Sequence, residues 1–251
     1  MTILSDFENL LEYIKYMSDY IRHLQELYTP ETFKRKKDYI DYNLGSYLSK
    51  IGYKKLKVLE VGPGMGEFES YLNDKGVVDI DIADNDQGIL DYSLSKYKIN
   101  KAILTKKIED LDKKINKYNL IFLMQVLEHI PIDKYSETVK ILFKHLERGG
   151  FLIIVVPNGN NPLGLIERYG DLQHTGCFTE QSLKDLINVS GLKNYQIRIR
   201  GYEIPTYSII NVIRVLLQKI LHLFLLLIMI INGGIYFKTM TPNIMMAVNK
   251  K

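Results

Sequence analysis

Apolar residues recur at spacings of three and four through Phe7, Leu10, Leu11, Ile14, Met17, Ile21, Leu24 and Leu27, the pattern of one buried helix face. Thr29-Pro30-Glu31 interrupts the pattern and starts a second helix. Thr caps with its side chain, and Pro suits a first turn whose N–H groups have no intrahelical partner. This helix is expected to run to about Gly45 or slightly beyond, with Gly52 as the break before the next element. From residue 55 the pattern changes to short apolar runs alternating with helical periodicity. Strands are predicted at Lys57–Val61, Val77–Ile82, Lys101–Leu104, Asn119–Met124 and Gly150–Val156, and helices near 66–75, 86–97, 133–147 and Thr179–Ser190. Two later strands are predicted at Tyr195–Tyr202 and Asn243–Asn249. Alternating strands and helices imply an α/β fold with a mostly parallel sheet covered on both faces. The continuously apolar run Phe151–Val156 fits a strand buried on both sides.

Between the last two strands lies an apolar stretch, residues 208–231. At helical spacing Asn211, Arg214, Gln218 and His222 fall on one stripe, with Lys219 at its side. The uninterrupted run Leu223–Ile231 is too short to span a bilayer, and the full stretch carries Arg214 and Lys219. Three readings stand: a helix in the membrane interface, a buried or homodimer-forming helix, and a spanning helix.

Composition narrows the function classes. The 251 residues suit one α/β domain with helical additions, and a net charge of +4 with cations scattered among acids gives no nucleic-acid stripe. The single cysteine, Cys177, rules out an intramolecular disulfide and any Cys-based zinc cluster. The segment from Met1 to Asp6 has neither a basic region nor an apolar one, so a secretory signal is not expected and a cytoplasmic location is.

The sharpest motif is Val58-Leu59-Glu60-Val61-Gly62-Pro63-Gly64-Met65-Gly66-Glu67-Phe68, a strand entering a glycine turn and then a helix. A dinucleotide fingerprint needs Gly-x-Gly-x-x-Gly, but the sixth position is Glu67. Glu60 so near the turn would repel a pyrophosphate and suit a ligand carrying an ammonium group. Asp81, near the expected end of the second strand, is the candidate for a ribose diol, with Asp79 the alternative solvated strand acid.

These segments resemble the class I S-adenosylmethionine methyltransferases, especially the small type of surface-polysaccharide and ubiquinone pathways. Glu60–Gly66 looks like their first motif and Asp81-Ile82 like their second. Gln125-Val126-Leu127-Glu128-His129-Ile130 looks like the loop after their fourth strand, and Gly149-Gly150 through Asn158 like their fifth strand with its glycine turn. Gly170–His174, followed by Phe178-Thr179, looks like a later loop and helix start. The resemblance implies a Rossmann-like seven-stranded sheet whose last strand runs antiparallel. It divides the chain into an N-terminal helical lid or substrate region, 1–52, and a methyltransferase domain, 53–251, with the apolar insertion 208–231. It also implies a cofactor site for S-adenosylmethionine. Glu60, Gly62, Pro63, Gly64 and Gly66 would hold its methionine part, with Gln125 lining that pocket. Asp81 would bind the ribose, Ile82 would pack on adenine, and Ile108 and Glu109 would rim the base. An acid is usual where Lys107 stands, and lysine cannot accept from the adenine amino group.

A hydroxyl acceptor loses a proton on methylation, so a nearby base helps. His129 and His174 fall on loops at the C-terminal edge of the expected sheet, where open α/β folds bind ligands. His174 is the candidate substrate-side group, and His129 is either catalytic or an ordering residue of its loop. Ubiquinone-pathway relatives carry a Glu-x-x-Glu-His cluster resembling a metal site. Here its first position is Gln125, so no metal is expected. The sequence thus points to methyl transfer to a hydroxyl of a glycan, lipid-linked or isoprenoid-type small acceptor. The alternatives are N-methylation of an amino sugar and a non-catalytic cofactor-binding partner protein. Both strands flanking 208–231 are expected in one sheet, which a single membrane crossing would break. This favours peripheral contact with the cytoplasmic membrane face over a spanning helix.

Overall fold

The computed structural model describes residues 29–234, Phe237 and 239–251, apart from the side chains of Ile166 and Glu167. The helix expected between Phe7 and Leu27 lies outside the described residues. The first described helix, α1 (Pro30–Ile51), starts as the sequence implies, with Thr29 Oγ1 accepting from the Thr32 N–H. It runs past Gly45 to Gly52, where φ is 92° and the N–H closes on the Leu48 carbonyl. Ile40, Leu44 and Leu48 are fully buried, and that burial outweighs the roughly 1 kcal/mol an interior glycine costs.

The remaining order is β1 (Val58–Val61), α2 (Glu67–Asp74), β2 (Ile80–Asp84), α3 (Gln87–Lys96), β3 (Lys101–Leu104), α4 (Ile108–Leu111), β4 (Tyr118–Met124), α5 (Tyr135–Lys144), β5 (Leu146–Pro157), α6 (Leu165–Tyr169), α7 (Glu180–Val189), β6 (Tyr195–Gly201), α8 (Ile209–Ile231) and β7 (Asn243–Lys250). The seven strands form one sheet in the order β3-β2-β1-β4-β5-β7-β6. β1 to β5 pair in parallel, and β7 runs antiparallel to both β5 and β6, as the resemblance implies.

Successive strand residues point to opposite faces. On one face Leu59, Ile121, Leu152 and Ile154 pack with Val139 and Leu142 of α5 and Leu183 of α7. On the other, Val58, Phe122 and Ile153 pack with Leu44 and Leu48 of α1, Phe68 and Leu72 of α2 and Leu90 of α3. α1 is therefore part of the main core. Asn43 ties it further to the segment after β6, donating to the Glu203 carbonyl and accepting from the Glu203 N–H, each at 2.9 Å.

The second strand departs from expectation in a way that matters for function. Val77 belongs to the end of α2: its N–H bonds to the Leu72 carbonyl and the Gly76 N–H to that of Asn73, with Gly76 at φ 79°. This is a Schellman closure, which consumes the residues read as the start of the strand. β2 therefore begins at Ile80 and ends at Asp84.

Candidate active site

The glycine turn sits between β1 and α2, at the C-terminal edge of the sheet. Its three glycines are required for different reasons. A Cβ on Gly62 would lie 2.4 Å from Val126 Cγ2, and one on Gly66 would lie 1.9 Å from the Tyr97 ring. Gly64 has φ 56°, and a Cβ there would meet nothing within 4 Å, so the turn is open to a ligand at this point. The Gly62 N–H bonds to the Ala83 carbonyl at 2.9 Å, which sets the turn beside the end of β2.

Acids gather around this turn. Glu60 is buried, and Glu69, fully buried on α2, faces it closely enough for the two carboxyls to share a proton. Burial, with Glu69 beside it, pushes Glu60 well above the usual carboxylate range. Burial pushes Glu69 up to about 8. Glu67 pairs with Lys36 at 2.7 Å. Two buried carboxyls facing each other are expensive to ionise, and a cationic ligand at the turn would relieve them. The residues present therefore fit an ammonium-bearing cofactor. No sequence motif marks Glu69, whose role follows from helix α2 turning it toward Glu60.

Two expected ligands of the ribose and adenine are displaced. Asp81 is buried in mid-strand and accepts from Tyr118 Oη at 2.7 Å and Asn100 Nδ2 at 2.8 Å, so it serves as an internal tie. Ile82 is fully buried among Phe68 and Leu90 and is a core residue. Because the strand starts three residues later than read, Asp84 and Asn85 occupy the edge positions assigned to Asp81 and Ile82. Asp84 is half-buried, and its Oδ1 accepts from the Asp86 N–H at 2.9 Å. Burial raises it to about 6. Asp86 caps α3 by accepting from the Gly88 and Ile89 N–H groups. That capping acid two residues on was the available signal for the true strand end.

Ile108 and Glu109 open α4 just beyond β3, at the same edge. Glu109 is committed to an ion pair with Lys134 at 2.5 Å, so it does not offer a free carboxylate in place of the acid missing at Lys107. Gln125 follows β4 with φ 55°, a left-handed conformation that is costly for a side chain of this kind. Its neighbour Val126 packs on Gly62, which brings the β4 loop against the glycine turn.

The histidines converge on the other side of that loop. Thr175 donates from its N–H to the Glu128 carbonyl at 2.8 Å and from Oγ1 to the Ile130 carbonyl, pinning the 171–176 loop onto the turn Leu127–His129. The His129 and His174 rings consequently meet edge to face, with centroids 4.7 Å apart. The Nδ1 atoms of both rings and both Glu128 oxygens are buried without hydrogen-bond partners. Burial and the neighbouring His174 hold His129 below its ordinary value, which keeps it a neutral proton acceptor. Burial pushes Glu128 up to about 8, so it carries little charge at neutral pH. One ligand-type atom from each of Glu128, His129 and His174 lies within 4.8 Å of the others.

Two cavities lie apart from these groups. One, of about 640 Å³, lies among α1, Met65 of the glycine turn and α3, and is lined in part by Lys34, Lys37 and Lys96. The other, of about 330 Å³, lies between α5 and α7. Neither is lined by Asp84, Gln125 or His174.

The fold has counterparts among known proteins. The fold is similar to a SAM-dependent methyltransferase from Archaeoglobus fulgidus, with a TM-score of 0.58 and 19% identity over 88% of this chain and 97% of that one. It is also similar to the plantazolicin methyltransferase BpumL in complex with a triazolic desmethylPZN analog and SAH, with a TM-score of 0.58 and 16% identity over 94% of this chain and 91% of that one. A third is the magnesium protoporphyrin IX methyltransferase ChlM from Synechocystis PCC 6803 with bound SAH, with a TM-score of 0.53 and 12% identity over 86% and 83% of the two chains. No curated protein matches the sequence. The methyltransferase-domain family matches residues 34–197, most of the chain, and this range holds the glycine turn, Asp84 and both histidines. The chain belongs to that family, as a class I methyltransferase of the S-adenosylmethionine-dependent type.

Proposed function

We propose that this protein transfers a methyl group from S-adenosylmethionine to a hydroxyl of a glycan, lipid-linked or isoprenoid-type acceptor. The observation that carries the hydroxyl assignment is the pairing of His129 and His174 beside the β4 loop. When bound, the cofactor supplies an electrophilic methyl on a sulfonium that departs with the S–C electron pair. Glu60 and Glu69 would receive the ammonium of its methionine part, the open turn at Gly64 would admit it, and Asp84 would accept from the ribose hydroxyls. Gln125 and Val126 close the cofactor site on the acceptor side. His174 would take the proton that the acceptor hydroxyl loses on methylation. His129, held neutral by burial, packs on the His174 ring and fixes its orientation. Positioning supplies much of the rate, because the leaving group is already activated.

The test is transfer of labelled methyl to matched sugar acceptors that differ only in carrying a hydroxyl or an amino group at one position. Transfer to the hydroxyl acceptor, with turnover lowered in His174→Ala, supports the proposal. Transfer to the amino acceptor alone overturns it in favour of N-methylation. Cofactor binding without transfer to either, or to lipid-linked forms of both, overturns it in favour of a non-catalytic binding protein.

A further inference from the structure

Helix α8 has no buried residue along its 23 positions, although it is long and apolar enough to cross a membrane. Its less exposed residues are Asn211, Val215, Gln218, His222, Leu225, Leu226 and Met229, so three polar side chains lie on the side turned toward the body of the protein. Asn211 Nδ2 donates to the Pro205 carbonyl at 2.8 Å, and Glu203 acts electrostatically on His222. The opposite side exposes Ile213, Leu217, Ile220, Phe224, Leu227 and Ile231, all more than half exposed. A surface helix in water shows the reverse arrangement, apolar inward and polar outward. At about 100° per residue, Arg214 falls on one border of the apolar side and Lys219 on the other. Both are exposed.

We propose that α8 is a docking surface for an anionic lipid bilayer, in which it lies flat with its outward apolar side among the headgroups and upper acyl chains. Charge favours lipid over a second copy of the chain. From Ile204 to Asn249 there is no Asp or Glu, whereas Arg214 and Lys219 border the exposed apolar side of α8. Two copies meeting through this side would set like charges together, and anionic headgroups would neutralise them.

Connectivity excludes a crossing. β6 and β7 are hydrogen-bonded neighbours, with Gly201 opposite Ile244, so the excursion leaves and re-enters at one place on the sheet edge. Its entry is held by Tyr207, which donates to Asp41 of α1 at 2.7 Å. Its return is held at Thr239, whose carbonyl accepts from Asn158 Nδ2 at 3.0 Å and whose Oγ1 bonds to Glu180 Oε1 at 3.0 Å. A 23-residue helix is about 34 Å long, but the eight peptide steps from Ile231 back to Thr239 reach at most about 26–29 Å. The tip of α8 therefore cannot stand a full helix length away from the protein. A crossing would also carry the polar return segment, with Asn232, Gly233, Gly234 and Lys238, through some 30 Å of hydrocarbon. Lying flat meets both constraints. It also brings lipid to the sheet edge that carries Asp84 and His174, where a lipid-linked acceptor would be presented.

The experiment is flotation of the full chain with vesicles of phosphatidylcholine alone and of phosphatidylcholine mixed with phosphatidylglycerol. The wild type is expected to float with the mixed vesicles at least about tenfold more than with the neutral ones. Phe224→Glu combined with Leu217→Glu should abolish flotation while cofactor affinity stays as in wild type, which shows that the variant is folded. Arg214→Glu with Lys219→Glu should remove the preference for anionic vesicles. Failure of the wild type to float, or a detergent-free dimer that Phe224→Glu dissociates while flotation is unaffected, overturns the proposal. Lipid binding is read without any acceptor, so its failure is separate from failure of the methylation assignment.

Discussion

His129 and His174 meet edge to face at 4.7 Å because Thr175 fastens one loop to the other, and neither ring has a partner for its buried Nδ1. His174→Ala is expected to lower turnover by about 10²–10⁴-fold, the usual worth of a general base, with cofactor affinity nearly unchanged. Burial and His174 both hold His129 below its ordinary value. Removing His174 removes one of those causes, so the titration of the His129 ring should move upward in the variant. Steady-state kinetics and a ring-proton NMR titration on the two proteins check this; equal turnover would return both histidines to an ordering role.

Asp84 and Asp81 should separate cleanly. Asp84→Ala is expected to weaken cofactor binding at least about tenfold, the equivalent of one charge-assisted hydrogen bond at roughly 1.5–3 kcal/mol. Asp81→Ala should leave affinity within about twofold but lower the melting temperature, because it strands the buried hydroxyl of Tyr118. Calorimetry and thermal melts on both variants decide between them. The opposite assignment of the two effects would restore Asp81 to the ribose.

This pair also shows where the sequence was legible. The sheet and its order of elements follow from periodicity, because burial on both faces leaves continuous apolar runs such as Phe151–Val156, whereas the antiparallel last strand follows only from the family resemblance. The β2 boundary did not follow, since Val78-Asp79-Ile80-Asp81-Ile82 alternates as a strand would and Val77 extends its apolar start, while Val77 in fact closes α2. Gly76 just past the helix and the capping Asp86 carried the missing information. Long-range placements such as Glu69 against Glu60, or Thr175 against Glu128, have no local pattern to announce them.

The cluster of Glu128, His129 and His174 should act without a metal. Its ligand-type atoms lie within 4.8 Å of one another, but the cluster lacks a second carboxylate where Gln125 stands, which weakens it for a hard cation. Turnover is expected to be unchanged after dialysis against a chelator. Loss of activity that returns on adding a divalent cation would reassign these residues as metal ligands.

Cofactor affinity should rise with pH up to about 8. Glu69 is pushed up to about 8 in the cofactor-free protein, and Glu60 is raised well above the carboxylate range by burial and by Glu69. The folded chain therefore binds protons that the unfolded chain has released above its ordinary glutamate value of about 4.3. Stability from these groups is fully present below that value and is lost as pH rises toward about 8. An ammonium group placed at the turn favours the ionised carboxyls, so binding near pH 7 releases protons and is strengthened as pH rises. Calorimetry at pH 7 in two buffers of different ionisation enthalpy should show that release with the demethylated cofactor. Glu69→Gln should reduce the release and flatten the pH dependence while raising the melting temperature of the cofactor-free protein at pH 8. Proton release identical in the variant would mean that Glu69 stays protonated beneath the bound ligand and that Glu60 alone receives the ammonium.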